Sequence, residues 1–285
     1  MNRNKEINEL VRLSVKEFEK RGGENLEIVE SLEDLHQHFA KSIAYEIKSN
    51  NEKKRPTVII LPFGPVSHYP LFVDIVNEER INLKNCHFFF MDENANNSGI
   101  EVPPDHPESF RGGLYRIFKD INQALMPPRD QIVFPLSGNI YELKETIKQL
   151  GGIQTCYGGI GIHGHVAFNE PERGVKHTDP RLVYLNDFTV TINAIRAGVG
   201  GDLINFPRKA LTLGMNQILG AKRIRLYCRN DVPGLDWANT VLRLAVLGTP
   251  GDDFPVTYVN QHKDWKIITD RNTAKIPDNI LPVNY

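Results

Sequence analysis

The sequence predicts an α/β fold with a doubly wound, mostly parallel sheet and helices on both faces. Two apolar runs, Thr57–Leu61 and residues 86–91, are short and end at a proline-glycine loop and at a carboxylate pair. Continuous apolar runs of this length are typical of parallel strands buried on both faces. Segments of helical period alternate with such runs, and this alternation indicates a parallel sheet covered by helices.

The elements follow in this alternating order along the chain. Apolar spacing predicts one N-terminal amphipathic helix that ends at Gly22-Gly23, and Ser31 is placed to cap the next helix. No linker or repeat interrupts the chain, so residues 1–285 are predicted as one domain, with residues 1–25 as an N-terminal helical extension. Further helices are predicted near residues 69–80, 108–118, 140–150, 208–219 and 237–247, and further strands at 155–162, 224–228 and 265–269.

Composition excludes several classes of protein. The 285 residues carry 34 Lys+Arg against 35 Asp+Glu, a formal charge of -1 that argues against binding along a nucleic-acid duplex. No apolar run approaches the roughly 18 residues of a membrane span, and the polar N-terminus lacks a signal peptide, so a cytoplasmic protein without membrane contact is expected. The 3 cysteines form no CxxC pair, which disfavours a disulfide framework.

Three predicted strand ends carry polar or glycine-rich segments that could bind a ligand or take part in catalysis. They are the loop at residues 62–67, Asp92-Glu93, and His163-Gly164-His165. Ligands of open α/β sheets bind outside the carboxyl ends of the strands, so these residues are expected at one rim. Asp92 or Glu93 beside a dehydrated strand end would have a raised pKa suited to a general base. The alternative for this pair is a cap on the following loop or helix.

The glycine-rich segment at residues 158–171 gives the stronger signal. His163 and His165 are two residues apart, so in an extended segment they point the same way. Glu170 follows closely enough for a loop to bring its carboxylate back onto an imidazole. A carboxylate that fixes one ring nitrogen leaves the other free to move protons.

Residues 159–171, GIGIHGHVAFNEP, resemble the signature of the glucosamine-6-phosphate deaminase/isomerase family, which is also related to 6-phosphogluconolactonases. The motifs MDE at 91–93, DHPES at 105–109 and ALTLG at 210–214 fall in the family's order, and the resemblance runs from about residue 57 to about residue 269. It implies a deaminase/isomerase-like Rossmann-type fold. The implied reaction converts an amino-sugar 6-phosphate into fructose 6-phosphate and ammonia.

The resemblance also implies roles for individual residues. Asp92 would be the base that moves a proton between C1 and C2 of the opened sugar, and His165 would assist ring opening while Glu170 holds its imidazole. His163 stands where the family has the aspartate that partners this histidine, and is counted with the catalytic residues. No metal or organic cofactor is implied, and the partner is a small-molecule sugar or sugar phosphate. A homo-oligomer is left open, since many members of the family are oligomers.

The phosphate-binding elements depart from the family pattern. The loop after the first strand is about two residues shorter, and Pro65 contributes no N–H. The substrate- or phosphate-binding residues predicted from the resemblance are Gly64, Ser67, Glu93, Gly164 and Arg196. The family's phosphate-binding lysine has no counterpart at residues 230–238, and Arg229 is a candidate substitute.

Three alternatives accompany the deaminase hypothesis. One is a catalytically impaired sugar- or sugar-phosphate-binding regulatory protein on the same scaffold, favoured by the altered phosphate loop and by His163. Another is a metal site built from His163, His165 and a carboxylate. The carboxylate, such as Asp92 or Glu170, would be the third protein ligand that a zinc site needs. The last is a lactonase, which the Phe-Asn-Glu-Pro continuation of the motif disfavours.

Overall fold

A computed structural model describes residues 2–283. The helices are α1 (Arg3–Val11), α2 (Val15–Gly22), α3 (Leu32–Glu52), α4 (His68–Glu78), α5 (Phe110–Phe118), α6 (Leu143–Gln149), α7 (Asp187–Ala197), α8 (Met215–Leu219) and α9 (Ala238–Leu247). The strands are β1 (Leu26–Val29), β2 (Thr57–Leu61), β3 (Cys86–Phe90), β4 (Asp92–Ala95), β5 (Ile132–Val133), β6 (Thr155–Gly159), β7 (Arg181–Tyr184), β8 (Lys209–Thr212), β9 (Arg223–Cys228) and β10 (Trp265–Asp270).

The central sheet confirms the predicted fold class. Within the described residues its strands run in the order β1-β10-β9-β6-β2-β3-β5, and every neighbouring pair is parallel. All five residues of β2 are buried, as the unbroken apolar run predicts for a strand covered on both faces. Because these strands are parallel, their carboxyl ends all lie at the same edge of the sheet.

Helices cover both faces of this sheet. Ile59 and Leu61 of β2 pack into a cluster with α3, α4 and α5. Val58 and Ile60, which point to the opposite face, pack into a cluster with α6 and α9. Alternate side chains of a strand point to opposite faces, so one apolar run supplies both cores.

A second, antiparallel sheet lies beyond the carboxyl ends of the central strands. It has the order β4-β8-β7, and Asp92 of β4 is paired with Thr212 of β8. The prediction of one helix at residues 208–219 is wrong, because Lys209–Thr212 is a strand and only Met215–Leu219 is helical. β8 has only four residues, too few to show the alternation of a strand in the sequence. Its hydrogen bonds to β4 and β7 define it as a strand.

The N-terminal segment is more elaborate than one helix. Ser14 ends the predicted helix and begins α2, because its hydroxyl accepts the Glu17 N–H at 3.2 Å. β1, which the sequence analysis missed, then pairs with β10 at the edge of the central sheet. Leu10 of α1 and Phe18 of α2 are buried in the same cluster as α9. Among the described residues no helix is long and apolar enough to cross a membrane.

Candidate active site

A cavity of about 620 Å³ opens at the carboxyl edge of the central sheet. This is the size range of small-molecule sites. Its walls include predicted site residues from all three strand ends and from α7: Gly64, Ser67, Asp92, His165 and Arg196. The fold therefore brings together residues that are up to 132 positions apart in the sequence, from Gly64 to Arg196.

Asp92 supplies a buried carboxyl group to the cavity wall. It is the first residue of β4, directly after Met91, and only 7% of its surface is exposed. Burial raises the pKa of Asp92 to about 8, and the neighbouring negative charge of Glu93 acts in the same direction. A carboxyl group with such a pKa can both take and return a proton near neutral pH.

Glu93 has a different environment from its neighbour. It is fully buried, and its carboxylate accepts the N–H groups of Phe110 at 2.9 Å and Arg111 at 2.8 Å. The Ser109 hydroxyl donates to it at 3.2 Å. Glu93 thus fastens the start of α5 to β4, which is the capping role weighed for this pair in the sequence analysis.

The histidine-bearing segment forms a turn. The sequence predicts an extended segment here, and that prediction is wrong. β6 ends at Gly159, and the Gly164 N–H donates to the Gly161 carbonyl at 2.9 Å. Gly164 has a φ of +76°, which glycine adopts without strain. A Cβ at Gly161 would lie 1.9 Å from His165 Nε2, so only glycine lets this ring edge approach the backbone.

His163, His165 and Glu170 nevertheless meet. The two imidazole rings lie 5.0 Å apart between centroids, in an edge-to-face arrangement. Thr189 of α7 lies between them, with its hydroxyl 3.3 Å from His163 Nε2 and 3.5 Å from His165 Nδ1. Glu170 accepts the Asn186 N–H at 2.7 Å, and the Asn186 side chain contacts His163 Nε2.

Burial sets the protonation of this group. It lowers the pKa of His165 well below the usual range, and His163 and Arg196 add to the effect. His165 is therefore neutral near pH 7, with one nitrogen free to accept a proton. Burial also raises the pKa of Glu170, although the nearby Thr189 hydroxyl and the Asn186 N–H oppose that shift.

Two arginines also line the cavity. Arg229, directly after β9, is 9% exposed and donates to Asp231 at 2.6 Å. Arg196 of α7 is more exposed and donates to the same carboxylate at 2.8 Å. Burial lowers the pKa of Arg229 to about 10, so its guanidinium stays charged at neutral pH. Sequence reasoning did not single out Asp231; its position two residues after Arg229 at a strand end is a signal that could have found it.

The loop before α4 completes the wall. Gly64 and Ser67 line the cavity, and Ser67 precedes α4 without making a side-chain cap hydrogen bond. Its hydroxyl is therefore near the cavity, but the first turn of α4 offers few N–H groups, because the Tyr69 N–H donates to the Val66 carbonyl at 2.9 Å and Pro70 has none. The Ser67 hydroxyl is the side-chain group of this loop that can donate to an anion.

Comparison with known proteins identifies the family. No protein-family model matches the chain. A glucosamine-6-phosphate deaminase of Caenorhabditis elegans is 30% identical over 204 residues, which are 70% of this chain and 73% of the relative. The chain belongs to the glucosamine-6-phosphate deaminase family. A second family member, from Thermoanaerobacter sp. (strain X514), is 28% identical over 255 residues, 86% of this chain and 94% of its own length.

Solved structures show the same fold. A monomeric glucosamine-6-phosphate deaminase, described as a missing link of its superfamily, matches with a TM-score of 0.75 at 23% identity, covering 88% of this chain and 99% of its own. A 6-phosphogluconolactonase from Trypanosoma cruzi matches with a TM-score of 0.63 at 19% identity, covering 90% and 97%. The resemblance stated from the sequence is confirmed, and this chain is a divergent member of the deaminase family.

Proposed function

We propose that this protein converts an amino-sugar 6-phosphate of the glucosamine 6-phosphate type into the corresponding ketose phosphate and ammonia. One observation carries the proposal: Asp92, with a pKa raised to about 8 by burial, shares a cavity with His165, which burial keeps neutral. One group can move a proton between carbons and the other can open a sugar ring. Both tasks are acid–base chemistry at ordinary side chains.

Ring opening is assigned to His165. The neutral imidazole takes the proton of the anomeric hydroxyl and returns a proton to the ring oxygen as the C1–O5 bond breaks. Nε2 is the nitrogen at the Gly161 backbone, and Gly161 itself lines the cavity. The Thr189 hydroxyl lies 3.5 Å from the other nitrogen and restricts rotation of the ring, and the His163 ring packs edge-to-face against it.

Proton transfer along the open chain is assigned to Asp92. Its carboxylate removes the proton at C2 while O1 takes up a proton, which gives an enolamine. Its carboxyl form then returns the proton to C1 as the amino group loses one and becomes an imine. The imine left at C2 adds water and expels ammonia, so one water is consumed for each ammonia formed. The ionised fraction of Asp92 grows as the pH approaches 8, so the rate is expected to rise over that range.

The phosphate is assigned to the cationic side of the cavity. Arg196 and Arg229 provide positive charge, and the loop before α4 provides Gly64 and the Ser67 hydroxyl. Arg229 is a candidate to replace the lysine that is absent from residues 230–238. Charge-assisted hydrogen bonds of this kind are worth about 1.5–3 kcal/mol each.

Ammonia release from glucosamine 6-phosphate by the purified, chelator-treated protein tests the proposal. We expect release by the wild-type protein and a loss of at least about 100-fold in Asp92→Asn, which keeps the shape of the side chain but cannot act as a base. The exposed Asp278→Asn variant serves as a matched control. No release at millimolar substrate, or equal release by Asp92→Asn, would reject the assignment.

A sugar-phosphate-binding regulatory protein is the second candidate. The observation that favours it is Asp231, whose carboxylate already pairs with both cavity arginines. A phosphate must compete with this carboxylate for the two guanidinium groups, so the cavity would bind a phosphate more weakly or accept a different ligand. Calorimetric binding of the sugar phosphate without any ammonia release, unchanged in Asp92→Asn, would select this function over catalysis.

A further inference from the structure

His163, His165 and Glu170 form a compact cluster of potential metal ligands. One ligand atom from each lies within 4.8 Å of the others, and residues 2–283 contain no other group of three or more His, Cys, Asp or Glu side chains so arranged. His165 and Glu170 are each only 9% exposed. Buried groups of this type are uncommon unless something pairs with them.

Two atoms of the cluster lack a hydrogen-bond partner. Glu170 Oε1 and His163 Nδ1 are both buried and unpaired, although the second carboxylate oxygen of Glu170 accepts the Asn186 N–H. A buried polar atom without a partner costs about 1–3 kcal/mol, so folded proteins rarely leave one unsatisfied. A cation bound by His163 Nδ1 and Glu170 Oε1 would satisfy both atoms together.

We propose that His163, His165 and Glu170 bind a divalent transition-metal ion of the Zn²⁺ class behind the cavity wall. Two imidazole nitrogens and one carboxylate oxygen are a donor set that Zn²⁺ accepts, with a fourth position left for water. The ligand atoms must close by a small side-chain movement, because tetrahedral Zn²⁺ holds its nitrogen and oxygen ligands at about 2.0–2.2 Å.

The surroundings supply outer contacts for such ligands. Imidazoles bound to metals usually donate their second N–H to a nearby oxygen. With His163 bound through Nδ1, its Nε2–H is 3.3 Å from the Thr189 hydroxyl. The Asn186 amide, which lies against the same nitrogen, has to move back for this bond to form.

Metal binding would regulate the proposed reaction, and this consequence rests on the proposed function. The Nδ1 of His165 faces Thr189, while its Nε2 lies at Gly161. A metal on Nδ1 leaves the only proton on Nε2, so the ring has no free nitrogen to accept the proton of the anomeric hydroxyl. Ring opening would stop until the metal is removed.

Metal binding is tested first without reference to activity. Chelator-treated full-length protein is titrated with Co²⁺, a spectroscopic substitute for Zn²⁺, and the visible ligand-field bands are recorded. We expect one equivalent to bind, with affinity at least about 100-fold lower in His163→Asn and Glu170→Gln, because even outer-shell partners are worth about 10–100-fold. His177→Asn changes an exposed histidine outside the cluster and is expected to bind like the wild type.

The thermal unfolding midpoint of each variant, measured in chelator, shows whether the metal-free variant is still folded. Absence of stoichiometric binding by folded wild-type protein, or equal binding by His163→Asn and the wild type, would overturn the proposal.

The regulatory consequence is tested by ammonia release with and without saturating Zn²⁺, compared within each protein. We expect a loss of at least about tenfold in the wild type that a chelator reverses, and a much smaller ratio in Glu170→Gln. Full activity with Zn²⁺ bound would overturn the regulatory role. Failure of the metal-free enzyme to release ammonia would count against the proposed function alone, since the Co²⁺ titration still decides the metal site.

Discussion

At the residue scale, neighbouring side chains in the sequence take different roles because their surroundings differ. Asp92 and Glu93 are both buried, yet Glu93 accepts N–H groups from Phe110 and Arg111 while Asp92 lines the cavity. Burial raises the pKa of both carboxyl groups, but the hydrogen bonds from N–H groups oppose that shift at Glu93, whereas the adjacent negative charge adds to it at Asp92. The proposed base is therefore held beside a carboxylate whose role is structural.

The raised pKa of Asp92 predicts how stability depends on pH. The pKa of this carboxyl is 3.8 in the unfolded chain, and burial raises it to about 8 in the folded protein. Between these values unfolding releases a proton, so this group makes the free energy of unfolding fall as pH rises. Urea unfolding between about pH 5 and 8 should show a shallower decline in Asp92→Asn than in the wild type.

We expect the two curves to diverge by at least about 1 kcal/mol over that window, since one pKa unit corresponds to about 1.4 kcal/mol. Subtracting the two curves isolates Asp92 from the other buried carboxyl groups and histidines. Parallel curves would mean that Asp92 is ionised in the folded protein throughout, which would also remove the reason for assigning it as a proton-transfer group near neutral pH.

At the element scale, the short antiparallel sheet positions the site. β4 begins with Asp92, pairs with β8, and is tied through Glu93 to the start of α5. The Thr212 hydroxyl of β8 accepts the Phe168 N–H at 3.1 Å, which attaches the end of the histidine-bearing segment to the same sheet. This small sheet therefore links the proposed base and the proposed ring-opening group.

Replacement of Glu93 tests this linkage. In Glu93→Ala the Phe110 and Arg111 N–H groups lose their acceptor, and we expect the free energy of unfolding to fall by about 2–3 kcal/mol. Glu93→Gln retains one acceptor oxygen and should lose about 1 kcal/mol. Urea unfolding near pH 7 measures both. Equal stability of Glu93→Ala and the wild type would show that α5 does not depend on this contact.

At the scale of the whole molecule, the N-terminal helices are part of the main core. Phe18 is fully buried beside α9, and the Arg243 guanidinium lies 5.1 Å from the center of its ring. Leu10 of α1 belongs to the same cluster. A segment that the sequence presents as an extension is thus integrated into the hydrophobic core.

We therefore expect Phe18→Ala to lower the free energy of unfolding by about 3–5 kcal/mol, the usual cost of removing a buried phenyl ring. Lys16→Ala, at an exposed position of the same helix, should change it by less than about 0.5 kcal/mol. Denaturant unfolding of the full chain provides the measurement. A loss below about 1 kcal/mol for Phe18→Ala would show that the extension packs only loosely.

The parallel sheet could be predicted from the sequence, because buried strands such as β2 and β3 are continuous apolar runs. It also indicated the rim where Asp92 and His165 lie, since strand direction alone brings strand ends together. Tertiary structure decided that Lys209–Thr212 is a strand, because its neighbours provide the hydrogen bonds that define it.

Tertiary structure also decided which charged groups meet. Asp231 pairs with Arg229, two residues away, and with Arg196, 35 positions away. His163 and Glu170 come together through a turn that local periodicity does not encode. Contacts of this kind depend on loop geometry and burial, which arise only when the whole chain is packed.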